Sequence, residues 1–303
     1  MTIARAAPGA GATNIRGPAA CGLVLALSMA LPAVPARADD GRLLATGGAS
    51  QVEGAAGGGL VPWAVLAGYG TREGQGGTVF ATRVHTGDYR LDVVGAAWTF
   101  RNRLELSVAR QRFDLGELQR RLALPWDALE QDVFGAKLRL GGDLVYTRMP
   151  QLSLGVQHKR LRDGALPLAI GARDDQGTDV YLSASKLFLA GPGGRQLLLN
   201  GTLRSTRANQ MGLLGHGGDR DDGRSLVFEG SAALVLDPSW VVGVEYRQKP
   251  DNLGFAGEDA WMDAFVAWFP NKHVAVVGAW ADLGSIATLD GQRGAYLSLQ
   301  LSY

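Results

Sequence analysis

The residue types that carry chemistry are few in this chain and poorly spaced for it. There are four histidines, His85, His158, His216 and His273. No two stand at the i, i+4 separation that brings both to one helix face, and no H-E-x-x-H occurs. Imidazoles so scattered are ordinarily loop or interfacial side chains rather than ligands or bases. The lone cysteine, Cys21, has no partner in the chain, which excludes an internal disulfide framework and a cysteine-built metal site. It also precedes the apolar run beside it, the wrong order for a lipid-modified cysteine.

Two other stretches invite a chemical reading. Residues 47–59 (GGASQVEGAAGGG) are rich in glycine, but no Gly-Lys-Ser/Thr follows, and Pro62 and Trp63 come next instead of a helix start. That is not a phosphate loop. The run Asp219-Arg220-Asp221-Asp222-Gly223 makes Asp219, Asp221 and Asp222 a weak calcium candidate. It lacks the spacing and closing glutamate of an EF-hand, and a solvated loop accounts for it. A Ser–His pair oriented by a third polar group cannot be assembled from spacing, and G-x-S-x-G is absent. The chain is therefore not expected to be an enzyme, and no cofactor is expected.

The charged residues are more informative. Glu105, Lys137, Arg139, Arg204, Glu229, Glu245, Arg247 and Asp263 each fall on the polar side of a segment that alternates polar and apolar residues. Leu104, Leu106 and Val108 oppose Glu105, and Phe134, Ala136, Leu138 and Leu140 oppose Lys137 and Arg139. Trp240, Val242, Val244 and Tyr246 oppose Glu245 and Arg247. Period-two alternation is the mark of a strand with one greasy and one wet face. The clearest instance ends the chain: Ala295, Leu297, Leu299, Leu301 and Tyr303 lie opposite Tyr296, Ser298, Gln300 and Ser302.

These segments run about nine to twelve residues, the length a membrane-crossing strand needs. No stretch after the N-terminal region approaches the ~20 apolar residues of a membrane helix. Within lipid every backbone amide must find a partner, so spanning strands must close into a barrel. The connections sort accordingly. Asn102, Pro238-Ser239 and Pro270-Asn271 mark tight turns, and they alternate with long connections such as residues 114–130, 160–177 and 206–224. The fold class expected is all-β: an antiparallel up-and-down transmembrane barrel. Thirteen strands can be counted from Val61. Bacterial single-chain barrels are even-numbered, so fourteen strands are favoured, residues 43–53 supplying one, with twelve as the alternative. The eight charged side chains are then expected to line the lumen, because a mid-membrane Arg or Lys on the lipid face costs ~2–4 kcal/mol.

The N-terminus reads as a secretory leader. Arg5 and Arg16 precede an apolar run (residues 19–31, AACGLVLALSMAL), Pro32 and Pro35 break it, and Ala36-Arg37-Ala38 fits a cleavage site. The expected organisation is a signal peptide over 1–38, a Gly-rich segment over 39–60 that is either first strand or lumen plug, and a barrel over 61–303. Beyond residue 38 the chain carries 27 basic against 29 acidic residues. So balanced a charge argues against a nucleic-acid partner, which needs a basic face.

Several stretches also carry a family resemblance. Residues 43–70 (LLATGGASQVEGAAGGGLVPWAVLAGYG), 108–114 (VARQRFD), 197–214 (LLLNGTLRSTRANQMGLL), 245–253 (EYRQKPDNL) and 269–273 (FPNKH) resemble the proteobacterial family called domain of unknown function 3034. The resemblance spans nearly all of the chain after the leader. It implies a fold like outer-membrane barrels and brings no activity, substrate or catalytic residue.

Together these readings predict a protein of the outer membrane of a Gram-negative bacterium, with both termini periplasmic. Its expected partners are outer-membrane lipid and the barrel-insertion machinery, which would recognise the C-terminal strand ending at Tyr303. The expected role is a channel or uptake path for a small solute, whose identity the residues do not reveal. The alternative is a closed structural or surface-interaction barrel that binds through its long loops. A lipid-active barrel enzyme is a minor alternative.

Overall fold

The protein is described by a computed structural model over residues 43–303. The signal peptide, its cleavage site and Cys21 lie outside the described residues. Twelve long strands close on themselves: β1 (Gln75–Thr86), β2 (Arg90–Phe100), β3 (Leu104–Asp114), β4 (Ala128–Gly141), β5 (Gln151–Leu161), β6 (Gln176–Phe188), β7 (Gln196–Thr206), β8 (Ser225–Asp237), β9 (Trp240–Arg247), β10 (Trp261–Trp268), β11 (Val274–Asp282) and β12 (Arg293–Ser302). Each pairs antiparallel with the next, and β12 returns to β1 through a register that runs from Gly294↔Thr86 to Ser302↔Thr78. No open edge remains on the sheet.

The strand number is twelve, which corrects the favoured fourteen. The two surplus strands of that count are residues 43–53 and the stretch beginning at Val61. Neither joins the wall. Within 43–70 the pairing is confined to a miniature hairpin, Ala49–Ser50 against Ala56–Gly57, and an isolated bridge between Gly57 and Pro62. The physical reason lies in the residues. From Val61 to Ala67 the segment (VPWAVLA) is apolar at successive positions, so it has no wet face to set against a lipid face. Pro62 also lacks the amide that a ladder needs.

Connections sort by end. At one end β2–β3, β4–β5, β6–β7, β8–β9 and β10–β11 are joined by 2 to 9 residues. At the other end the joins run from 3 to 18 residues, the longest being residues 207–224 between β7 and β8. Helix α1 (Gly116–Leu122) and helix α2 (Ala165–Ala169) fold within two of these long connections.

The outer face follows the alternation. Val94, Leu106, Phe134, Val244, Leu297 and Leu299 are exposed, while their sequence neighbours Val93, Glu105, Glu245 and Ser298 are buried. Trp98 meets Tyr303 edge-on at 5.0 Å between ring centroids, and Trp240 stacks on Trp268 at 5.8 Å, both near the short-turn end. Toward the long-loop end the outward positions turn charged and pair across strands: Arg110–Asp132 at 2.7 Å, Arg112–Glu130 at 2.9 Å and Arg293–Asp282 at 2.7 Å. An apolar band bounded by an aromatic rim and a charged rim is the outer surface of a membrane-spanning barrel.

Candidate functional site

The lumen is the place where the unusual chemistry collects. In eight-stranded barrels wall side chains suffice to fill the interior, and the diameter grows with strand number. Here the space is taken by residues 47–69, which are buried throughout. We call this segment the plug.

It is tied to wall side chains on eight strands, mostly through its backbone. Glu105 of β3 accepts from the amides of Ala56 (3.2 Å) and Ala67 (2.8 Å), and Gln111 of the same strand donates to the Val52 carbonyl. Lys137 of β4 donates to the carbonyls of Ala56 and Val65, both at 2.8 Å, and pairs with Glu105 at 3.3 Å. Gln151 and Ser153 of β5 both donate to the Ala64 carbonyl, and Ser185 of β6 accepts from the Ala64 amide. Thr202 of β7 donates to the Pro62 carbonyl, and Ser231 of β8 accepts from the Trp63 indole. On β9 Glu245 accepts from the Leu60 amide at 2.7 Å and Arg247 donates to the Leu60 carbonyl at 2.9 Å. Gln300 of β12 accepts from Ser50. A segment with so little regular structure of its own must find its hydrogen bonds elsewhere, and the polar inner faces of the strands supply them.

At the tip of the miniature hairpin Glu53 enters a charged nest. Gly54, at φ +97°, turns the chain there. The Glu53 carboxylate meets Arg247 at 2.9 Å, Arg204 at 3.5 Å and Lys159 in close contact, and accepts from Gln51 at 2.6 Å. Around it Arg204 pairs with Glu229 at 2.5 Å and Asp179 at 3.3 Å, and Lys159 with Asp179 at 2.7 Å. Three carboxylates thus face three cations, with side chains 0 to 4% exposed. Burial pushes the Glu53 carboxyl up, but Arg247, Lys159 and Arg204 outweigh it and hold it well below the usual range. Without Glu53 the wall of this nest would carry one uncompensated positive charge.

Seven of the eight charged positions singled out in the sequence are buried on the inner face. Arg204, Glu229 and Arg247 meet in the Glu53 nest, Glu105 and Lys137 form a second pair against the plug, and Glu245 stands across the β9–β10 ladder from Asp263. Asp263 is buried, and among the described residues neither of its carboxylate oxygens has a hydrogen-bond partner. Arg139 sits apart at the short-turn end, bonded to the Gly142 carbonyl and to Asp143. Lys159, Asp179 and Glu53 were not singled out. The first two lie on inward positions of β5 and β6 and share the alternation that marked the others. Glu53 stands in a Gly-rich stretch with no period to read.

The long-loop end has its own closure. Residues 208–218 of the β7–β8 connection are buried. The carbonyl of Met211 accepts from Gln131 of β4. Gln210 contributes its amide to Glu258 and its side-chain oxygen to Lys249. The Lys249–Glu258 pair, 2.7 Å apart, is nearly wholly buried, and burial moves Lys249 down and Glu258 up. His216 is buried and held down to about 4 by desolvation and the nearby Lys159, so it is neutral at neutral pH. The three aspartates of the calcium candidate are taken up locally. Asp219 accepts from the Gly254 amide, Asp221 from the Gly223 amide, and Asp222 pairs with Arg207. His158 lies 3.0 Å from the Thr178 hydroxyl on the outer face, with no carboxylate on the ring among the described residues.

The family model described as protein of unknown function (DUF3034) matches residues 46–300. The chain belongs to this family. Comparison with curated proteins finds no match. Among solved structures the chain is similar to the KdgM porin, with 9% identity, 75% of this chain and 99% of that chain covered, and a TM-score of 0.48. It is also similar to the Acinetobacter baumannii outer membrane protein Omp33, at 10% identity, 75% and 97% coverage and a TM-score of 0.45. Likeness at this level says nothing about what a barrel carries. Placement of this family member as a bacterial outer-membrane β-barrel rests on its own closed sheet and apolar outer band.

Proposed function

We propose that the protein is an outer-membrane uptake path for a small solute, held shut by its N-terminal segment, with both termini on the periplasmic side. The observation that carries this reading is how the plug is held. Beside the apolar packing of Val52, Val61, Trp63 and Val65, it is tied to the wall by hydrogen bonds and ion pairs to side chains that would equally well face water. Polar contacts exchange with water at modest net cost, and toward the long-loop end the wall left behind carries the polar side chains that suit an aqueous lumen. The orientation is supported by the sorting of short turns to the end that holds Tyr303, as outer-membrane barrels keep short turns periplasmic.

Planar-bilayer recordings test the reading. The intact protein is expected to show little current, and a variant lacking residues 47–69 to show stepwise conductance and solute flux into liposomes. Silence from a folded plug-deleted barrel would sink the reading. It would favour instead a closed barrel that binds through its long loops, for which the burial of residues 208–218 in the opposite mouth speaks.

A further inference from the structure

The inner faces of β7 to β10 change character along their length. Toward the long-loop end they present Arg204, Glu229, Glu245, Arg247 and Asp263, all buried in polar surroundings. Toward the short-turn end the same strands present Leu198, Ala233, Val241, Phe265 and Ala267, joined by Val277 of β11. These apolar side chains do not close on each other. They bound a chamber of about 510 Å³ between the wall and the plug, whose near side is made of Ala49, Gly58, Gly59 and Trp63.

A wet vestibule calls for polar inward positions, and this chamber has the opposite. Its size falls in the range of sites that take a small ligand. The charged groups at its mouth are already engaged. Arg195 donates to the Leu236 carbonyl, and Asp237 accepts from the amides of Ser239 and Trp240 in the β8–β9 turn. Both are exposed at the rim, and the chamber's inner walls are apolar. The four residues preceding Leu43, Asp39-Asp40-Gly41-Arg42, carry three charges and are the wrong chemistry for these walls.

We infer that this chamber is a binding site for an uncharged apolar molecule, a hydrocarbon or small aromatic, entered from the short-turn end. The inference does not depend on the plug moving, because the chamber exists with the plug in place. Small residues on both sides, Ala233 and Ala267 on the wall and Gly58 and Gly59 on the plug, make the space. A phenyl ring at Ala233 or Ala267 would occupy it.

The test uses the processed protein in detergent-free lipid discs, with 1-aminoanthracene as probe and empty discs as background. Saturable binding of one probe per barrel is expected, weakened at least tenfold in Ala233→Phe and in Ala267→Phe, and unchanged in the outer-face control Leu297→Phe. Heat-modifiable gel mobility verifies that each variant is folded. A second readout needs no filled variant: 1-bromooctane is expected to quench tryptophan emission with a saturable component that disappears in Trp63→Phe. Absence of saturable binding over empty discs, or binding indifferent to both filling substitutions, overturns the inference. So does binding that arises only after residues 39–42 are trimmed away, since the chain itself would then be the occupant.

Discussion

At the scale of single residues the decisive group is Glu53, the carboxylate that the plug brings to three cations of the wall. Removing one partner from a buried ionic set leaves uncompensated charge, at about 3–5 kcal/mol. Glu53→Ala is therefore expected to loosen the plug by that order while the strand ladders persist, seen as faster hydrogen exchange over residues 47–66 with the barrel amides still protected. Protection unchanged along the plug would refute the assignment. His216 supplies a pH-dependent counterpart. Its folded value of about 4 lies below that of a free imidazole, so the stability linked to its neutral form is complete above pH ~6.5 and is lost as pH falls through 4, about 3 kcal/mol in all. Its ring resonances are expected to titrate with a midpoint near 4, and a midpoint at 6.5 would show that the ring is hydrated in the folded protein. How legible these residues were differs case by case. Arg204, Glu229 and Arg247 stood out because strand alternation puts a charge opposite a greasy face. Their counter-ion Glu53 did not, because a hairpin tip among glycines has no face until the barrel encloses it.

At the scale of elements, the wall strands were readable, whereas the Gly-rich segment could be read only as either a first strand or a lumen plug, for one reason. A wall strand has two different solvents on its two sides and so writes a period of two into the sequence. A segment surrounded by protein on every side writes none. Residues 61–67 resembled strand by their apolar content alone, and the even-strand rule then manufactured a fourteenth strand to match. The short turns were also legible, since Asn, Asp, Pro and Ser carry turn chemistry of their own. The β4–β5 connection adds a sharper requirement. Gly142 sits at φ +71°, and a Cβ there would run into the Pro150 carbonyl. Gly142→Ala is expected to destabilise by about 1–3 kcal/mol, read as a lower midpoint for urea unfolding in lipid vesicles. An unshifted midpoint would mean the turn relaxes freely.

At the scale of the whole molecule, the outer band makes lipid part of the fold. Leu299 stands exposed on β12, between Leu297 and Leu301. Leu299→Arg is expected to cost about 2–4 kcal/mol in vesicle-folding titrations, whereas the same change in a long loop would be nearly neutral; equal effects would place β12 outside the bilayer. The plug also bears on the join where the ring closes. Ser50 reaches Gln300 on β12, and the Tyr69 amide shares the Tyr303 carbonyl with Gly77 of β1. The same segment that fills the bore is thus stitched across the seam between first and last strand. A barrel that parts sideways into the bilayer must begin at such a seam. In this protein such a parting would also disturb the plug's contacts with Gln300 and Tyr303.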